Sequence, residues 1–183
     1  MRVISGKAKG VVLKTPEGLK TRPTADRVKE AMFSIIQFDL PSSNVLDLFG
    51  GTGQLGIEAL SRGAKKAVFV DFSEKAIACI KTNVNNAKMA EDSLIIRSDS
   101  CKFLREHSEV FDIIFIDPPY ESCLYENVFS LIASNNLISD ESLIIAEWDY
   151  ENGIGNLPRE FELVKEKKYG RVGISVFKRS QSE

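Results

Sequence analysis

The chain has 183 residues, 43% of them hydrophobic and 27% charged, with a formal net charge of −2 at pH 7. That is one ordinary globular domain, able to bury about 70% of its extended surface, and it excludes a disordered chain. No apolar run reaches the roughly 18 residues of a membrane span, so no membrane role is expected. The opening MRVISGKAKG lacks the apolar core of a signal peptide.

Cys79, Cys101 and Cys123 form no CxxC pair and cannot all pair internally, so they read as reduced thiols of a cytoplasmic protein. The single histidine, His107, has no companion ligands for structural zinc; beside Glu106 and Glu109 it reads as a solvated residue at a helix end. The near-neutral average hides an asymmetry. Residues 1–29 carry Arg2, Lys7, Lys9, Lys14, Lys20, Arg22, Arg27 and Lys29 against only Glu17 and Asp26, which leaves an acidic body. A basic arm on an acidic body suits a polyanion, although a solvated basic hairpin with no partner has the same composition.

In chain order, residues 2–14 alternate loosely around Gly6 and Gly10, as a small hairpin would. Residues 1–23 are therefore taken as an arm and 24–183 as the main domain. Thr24 is a candidate N-cap for a helix reaching about residue 38, with Val28, Met32, Ile35 and Ile36 on one face. After Pro41 the pattern alternates. Strands are expected at 45–49, 67–70, 94–96, 111–116 and 143–147, and helices at 54–62, 74–87, near 101–107 and about 125–134. Residues 160–165 and 172–178 read as two further strands joined through Tyr169-Gly170-Arg171, with no helix between them. The expected fold is α/β and Rossmann-like: a doubly wound sheet with five parallel strands, a C-terminal antiparallel hairpin and a small N-terminal hairpin extension.

Two motifs fall on strand ends. Asp47-Leu48-Phe49-Gly50-Gly51-Thr52-Gly53-Gln54-Leu55-Gly56 follows a strand and opens a helix, and residues 51–56 satisfy GxGxxG. Glycines allow a sharp turn and close backbone approach, and the helix start presents free N–H groups. Asp71 lies twenty residues beyond Gly51 at the end of the next strand, the spacing of a ribose-binding carboxylate. A nicotinamide dinucleotide and S-adenosylmethionine both fit this motif. Asp117-Pro118-Pro119-Tyr120, at the end of FDIIFID, narrows the choice. Paired prolines stiffen the backbone and leave carbonyl acceptors, Asp117 adds a carboxylate and Tyr120 a stacking face. Acceptors and an aromatic plane match the exocyclic amino group of a flipped or unpaired base. A hydride acceptor needs neither.

With these segments, RPTADRVKEAMFSII and the closing KYGRVGISVFK, the chain resembles the class I S-adenosylmethionine-dependent methyltransferases with a DPPY motif. Within them it is similar to the RsmD family, which methylates the 2-amino group of a guanine in small-subunit (16S) ribosomal RNA. The resemblance implies S-adenosylmethionine as cofactor and 16S ribosomal RNA, or the small ribosomal subunit, as partner. It places Asp47, Phe49, Gly51 and Gly53 around the cofactor, Asp71 on the ribose, Phe72 against adenine, and Asp99 with Ser100 near the adenine amino group. Arg22 and Thr24 would close over the methionine carboxylate. Asp117, Pro118, Pro119 and Tyr120 would be catalytic, holding the amino group and its base. Lys7, Lys9, Lys14, Arg22 and Arg27 would grip RNA phosphates. Trp148 and Tyr150, near the same strand ends, read as packing with a possible base-pocket role; Tyr125 is open between the two. Lys165 to Lys168 read as an exposed edge-strand face.

The rival readings are a DNA adenine amino-methyltransferase, a glutamine methyltransferase, a dehydrogenase and a non-catalytic RNA-binding assembly factor. The first lacks a DNA-reading domain. The second ordinarily carries Asn at the Asp117 position, and the third leaves DPPY unexplained. A monomer is expected, because no extended apolar surface pattern demands a partner.

Overall fold

Short strands that are apolar on both faces are stable only inside a sheet covered on both sides. The computed structural model describes residues 1–15, 23–118 and 123–180, with the backbone alone at 23–25 and 123. After α1 (Pro23–Ile35) the chain alternates through β1 (Asn44–Asp47), α2 (Gln54–Ser61), β2 (Lys66–Asp71), α3 (Glu74–Asn86) and β3 (Ser93–Arg97). It continues through α4 (Ser100–Glu106), β4 (Ile113–Ile116), α5 (Cys123–Ser134) and β5 (Leu143–Asp149), then ends in β6 (Phe161–Tyr169) and β7 (Val172–Arg179). The sheet order is β3-β2-β1-β4-β5-β7-β6. The first five strands are parallel, and the terminal hairpin pairs antiparallel through β7. The expected fold class is the one observed.

One face of the sheet is covered by α1, α2 and α3, which contribute Met32, Phe33, Ile57, Leu60 and Ile80 to its core. The other is covered by α4 and α5 through Phe103, Leu104, Val128, Phe129 and Ile132. Several element bounds shift by a few residues from expectation, with α1 ending at Ile35, β1 at Asp47 and β5 at Asp149, and two further shifts have local reasons. Phe111 and Asp112 do not join β4, because the Phe111 N–H donates to the Leu137 carbonyl (2.9 Å) and the Asp112 carboxylate accepts from Asn44 N–H (2.7 Å). β6 runs on to Tyr169 because its lysine-rich stretch keeps pairing with β7 while exposed on both faces.

The N-terminal arm is not a regular hairpin. Its ladder is reduced to one bridge, Arg2 with Val12, closed by Val3 N–H to Val11 carbonyl (3.0 Å) and Leu13 N–H to Met1 carbonyl (3.0 Å). Val3, Ala8 and Leu13 are buried in the same core as α1–α3. What pins the arm there is Glu58 on α2, fully buried. Its Oε2 accepts from Ile4 N–H (2.8 Å), and its Oε1 from Ser5 N–H (3.0 Å) and Arg62 Nε (2.8 Å). Lys29 of α1, 2% exposed, lies 3.4 Å from Glu58 and donates to the Arg2 carbonyl (2.8 Å). Burial draws the Lys29 pKa down, opposed chiefly by the Glu58 charge. A buried pair in which every lone pair has a donor is stable, but removing one partner strands the others.

Glu58→Ala should therefore lose about 3–5 kcal/mol of unfolding free energy in urea titrations. It should also expose residues 1–13 to rapid amide exchange; a loss below about 1 kcal/mol with the arm still protected would refute this anchoring.

Candidate functional site at the carboxyl ends of the strands

The chain places β2 and β3 on one side of β1, then crosses to lay β4 on the other. A crevice opens at such a reversal, beyond the carboxyl ends of the strands. Val45, Phe69, Phe115 and Ile145 all face the α1–α3 core. Two residues further along each strand, on the same face by the alternation of side chains, come Asp47, Asp71, Asp117 and Glu147. Four neighbouring strands thus carry a row of carboxylates across the crevice floor. Asp47 pairs in register with Phe69 and Phe115 and so lies one step deeper than the others. Among the described residues, no group of three or more His, Cys, Asp or Glu is arranged to hold a metal ion.

Burial dominates the electrostatics. Asp47, 2% exposed, is pushed up to about 7, first by desolvation and then by the charges of Asp117 and Asp71, against the Gly56 N–H that donates to its Oδ2 (3.0 Å). Burial raises Asp117 to about 6. Glu147 rises to about 8 through burial and then the neighbouring Asp117 charge.

The glycine loop hangs over this row. Gly51 and Gly53 have φ of +53° and +77°, a region that other L-residues rarely enter. Asp71 organises the loop: its Oδ2 accepts from Gly51 N–H (2.9 Å) and its Oδ1 from Ser73 N–H (2.8 Å). Gly53 occupies the N-cap of α2 without a side-chain cap. A Cβ on Gly56 would lie 2.3 Å from the Phe69 ring, so this glycine lets α2 rest directly on β2. Phe49 is half-buried against the α4–α5 core, Phe72 is 71% exposed, and the buried Gln54 Oε1 has no partner among the described residues.

The remaining predicted residues divide. Asp99 caps α4 by accepting from Lys102 N–H (2.9 Å), with Ser100 buried beside it. Pro118 is buried directly after Asp117. Arg22, Pro119 and Tyr120 lie outside the described residues, as does the Thr24 side chain. Lys7 is ion-paired with Asp92 at 3.3 Å. Lys9 and Arg27 line a groove of about 310 Å³ between the arm and α1, together with Arg2, Asp26 and Glu30. Lys14 instead lies by the glycine loop. Asn83 Oδ1 accepts its N–H (2.7 Å), while Asn83 Nδ2 donates to the carbonyls of both Lys14 and Thr52 (2.9 Å each).

His107 is a correction. It is not solvated but lies between Phe103 and Phe111, with centroids 4.6 and 5.1 Å away; its buried Nε2 has no hydrogen-bond partner among the described residues, and Glu109 Oε2 lies 4.0 Å from it. Burial lowers its pKa, because the apolar rings favour the neutral imidazole. Trp148 packs, donating to Ser175 Oγ (3.0 Å), and Tyr150 stacks on it beneath Lys168. The buried Tyr125 donates to the Glu147 carbonyl (2.6 Å). Glu147 and Asn83 are the site residues that motif reading misses. A lone carboxylate at the end of an apolar strand, and a lone amide on the inward face of α3, are their only signals.

A family model described as Conserved hypothetical protein 95 matches residues 1–178. The chain is 36% identical over 182 residues to the YlbH protein of Bacillus subtilis (strain 168), covering 98% of this chain and 99% of that one. It is 32% identical over 179 residues to the Ribosomal RNA small subunit methyltransferase D of Escherichia coli (strain K12), covering 98% and 90%. The solved structure of the Escherichia coli protein yhhF superposes with a TM-score of 0.89 at 34% identity, over 98% and 97% of the two chains. Among the described residues, no helix is long and apolar enough to cross a membrane.

The raised carboxylates set a pH dependence. A carboxyl whose folded pKa exceeds its unfolded value binds more protons when folded, so stability falls as pH rises between the two values. For Asp47 that window runs from 3.8 to about 7, worth roughly 4 kcal/mol. Asp47→Asn should therefore remove part of the fall in melting temperature of the cofactor-free protein between pH 5 and 8; parallel profiles for the two proteins would count against a buried, proton-binding Asp47.

Proposed function

This chain belongs to the Conserved hypothetical protein 95 family, and from that premise we propose that it methylates the 2-amino group of a guanine in small-subunit (16S) ribosomal RNA with S-adenosylmethionine. It would act in the cytoplasm on an assembled or partly assembled subunit. The observation that carries the reading is Asp117: a half-buried carboxylate, followed by the buried Pro118, at the sheet's switch point beside the glycine loop.

The residues present fit the cofactor. The row of carboxylates suits a sulfonium cation, and the uncapped start of α2 offers N–H groups to a carboxylate. Each Asp71 oxygen accepts one backbone N–H and keeps a lone pair for a ribose hydroxyl. Phe72 is an exposed ring free to pack against a flat base. Once bound, the cofactor supplies an already activated methyl group, so the protein's task is alignment, worth roughly 7–11 kcal/mol.

Asp117 and the Pro118 carbonyl would accept hydrogen bonds from the guanine amino group. That turns the nitrogen lone pair out of conjugation and stabilises the positive charge that grows on it. With a pKa of about 6, Asp117 is ionised near neutrality yet basic enough to take the released amino proton. Pro119 would keep this turn rigid and Tyr120 would stack on the base. Arg22 and Thr24 would close over the methionine carboxylate, and Asp99 with Ser100 would border the adenine. On the arm side, Lys9, Arg2 and Arg27 line a groove, beside Asp26 and Glu30, where they would meet backbone phosphates, while Lys7 and Lys14 would reach others from elsewhere on the arm.

Labelled S-adenosylmethionine and small subunits lacking this methylation should yield N2-methylguanosine; label in DNA adenine instead would move the substrate. Asp117→Ala should cut turnover at least about 100-fold while cofactor affinity stays within a few-fold, and wild-type turnover would sink the assignment. Lys9→Ala with Arg27→Ala should flatten the salt dependence of RNA binding by about 1.5 in log–log slope and leave cofactor binding alone.

A further inference from the structure

We propose that Glu147 is a second base-contacting carboxylate, which accepts the ring N1–H of the target guanine beside the 2-amino group held by Asp117 and so makes the site specific for guanine. The inference rests on the reading of guanine as methyl acceptor.

The last β4–β5 pair is Ile116 with Ala146, so Asp117 and Glu147 follow side by side on strands about 4.8 Å apart. Both stand two residues beyond core side chains of the α1–α3 face, Phe115 and Ile145, so both project from that same face. The backbone beneath Glu147 is held by the Tyr125 hydroxyl on its carbonyl. Its neighbour Trp148, on the opposite face, is held by Ser175 and is 8% exposed. The position of Glu147 is thereby set on both sides.

Among the described residues, no N–H or O–H donates to either carboxylate, although both are at least half-buried. Half-buried acceptors that face a crevice are placed to take donors from a ligand that displaces water from them. Two adjacent acceptors call for two adjacent donors. The edge of guanine offers them, N1–H next to the 2-amino group. Adenine offers its amino group next to a bare N1 lone pair, which gives Glu147 no donor to accept and is repelled once Glu147 is ionised. The pair therefore selects by what it rejects as much as by what it binds.

The test uses small subunits reconstituted with the target guanosine, located by mapping the wild-type product, or with 2-aminopurine riboside at that position. The analogue keeps the 2-amino group but presents a bare N1. Above the Glu147 pKa of about 8, the wild-type protein should methylate guanosine at least tenfold faster, in kcat/KM, than 2-aminopurine. In Glu147→Gln, whose amide can donate to N1, that ratio should shrink at least fivefold, with binding of S-adenosylhomocysteine unchanged. Equal use of both bases by the wild type overturns the inference without any variant. So does an unchanged ratio in Glu147→Gln, or a parallel loss of S-adenosylhomocysteine affinity. Absence of N2-methylguanosine from unsubstituted subunits would instead overturn the guanine reading itself.

Discussion

The burial of a single carboxylate, that of Glu58, constrains everything on the α1–α3 side of this sheet. A fully buried charge in a helix can be kept only if its lone pairs find donors, and here the donors come from three places in the chain: the arm backbone, Lys29 and Arg62. Because these donors sit on different elements, satisfying the charge fixes where they lie relative to one another. The arm so fixed becomes a wall of the crevice. Its residue Lys14 shares the Asn83 side chain with Thr52 of the glycine loop, and Met1 Sδ receives the Thr52 hydroxyl at 3.5 Å. A segment that composition alone presents as a charged appendage is thereby part of the hydrophobic core and of the glycine loop's support.

The crevice floor works by the opposite logic. Where Glu58 has every hydrogen bond it can use, Asp117 and Glu147 have no protein donor among the described residues, and Asp47 has one. Their mutual repulsion and burial hold them ready to accept protons, cations or N–H groups. That readiness lowers the stability of the ligand-free fold. Sites of this kind commonly sacrifice local stability for ligand recognition. The proposed ligands, a sulfonium cation and a base rich in donors, would offset that cost by binding to adjoining parts of the same row.

Much of this was legible in the sequence because it is written in local patterns. The strand–helix alternation placed every element to within a few residues, Asp47 and Asp117 stood out beside glycines and prolines, and Asp71 by its spacing from the glycine loop. Glu147 has no such flank. Its meaning depends on β5 lying next to β4 in register, which pairing decides and periodicity does not. Glu58 reads as a surface residue, four before Arg62 on a helix, and only the docked arm makes it an interior one. His107 failed for a similar reason: its two acidic neighbours suggested solvent, while Phe103 and Phe111, four residues away on either side, close around the ring.

The arm's docking also has a consequence for how the chain reaches this structure. Residues 1–14 are synthesised before their partners Glu58, Ser61 and Asn83, which follow some fifty to seventy residues later. The central pair, Val45 with Ile113, closes a comparable span. Loop closures of that length precede the contacts that stabilise them, and parallel pairing is slow for the same reason. Val3, Ala8 and Leu13 must therefore wait, unburied, until α2 and α3 have emerged. The arm is made before its partners and docks after them, so the interval between those events is when its apolar side chains are most open to association with other chains.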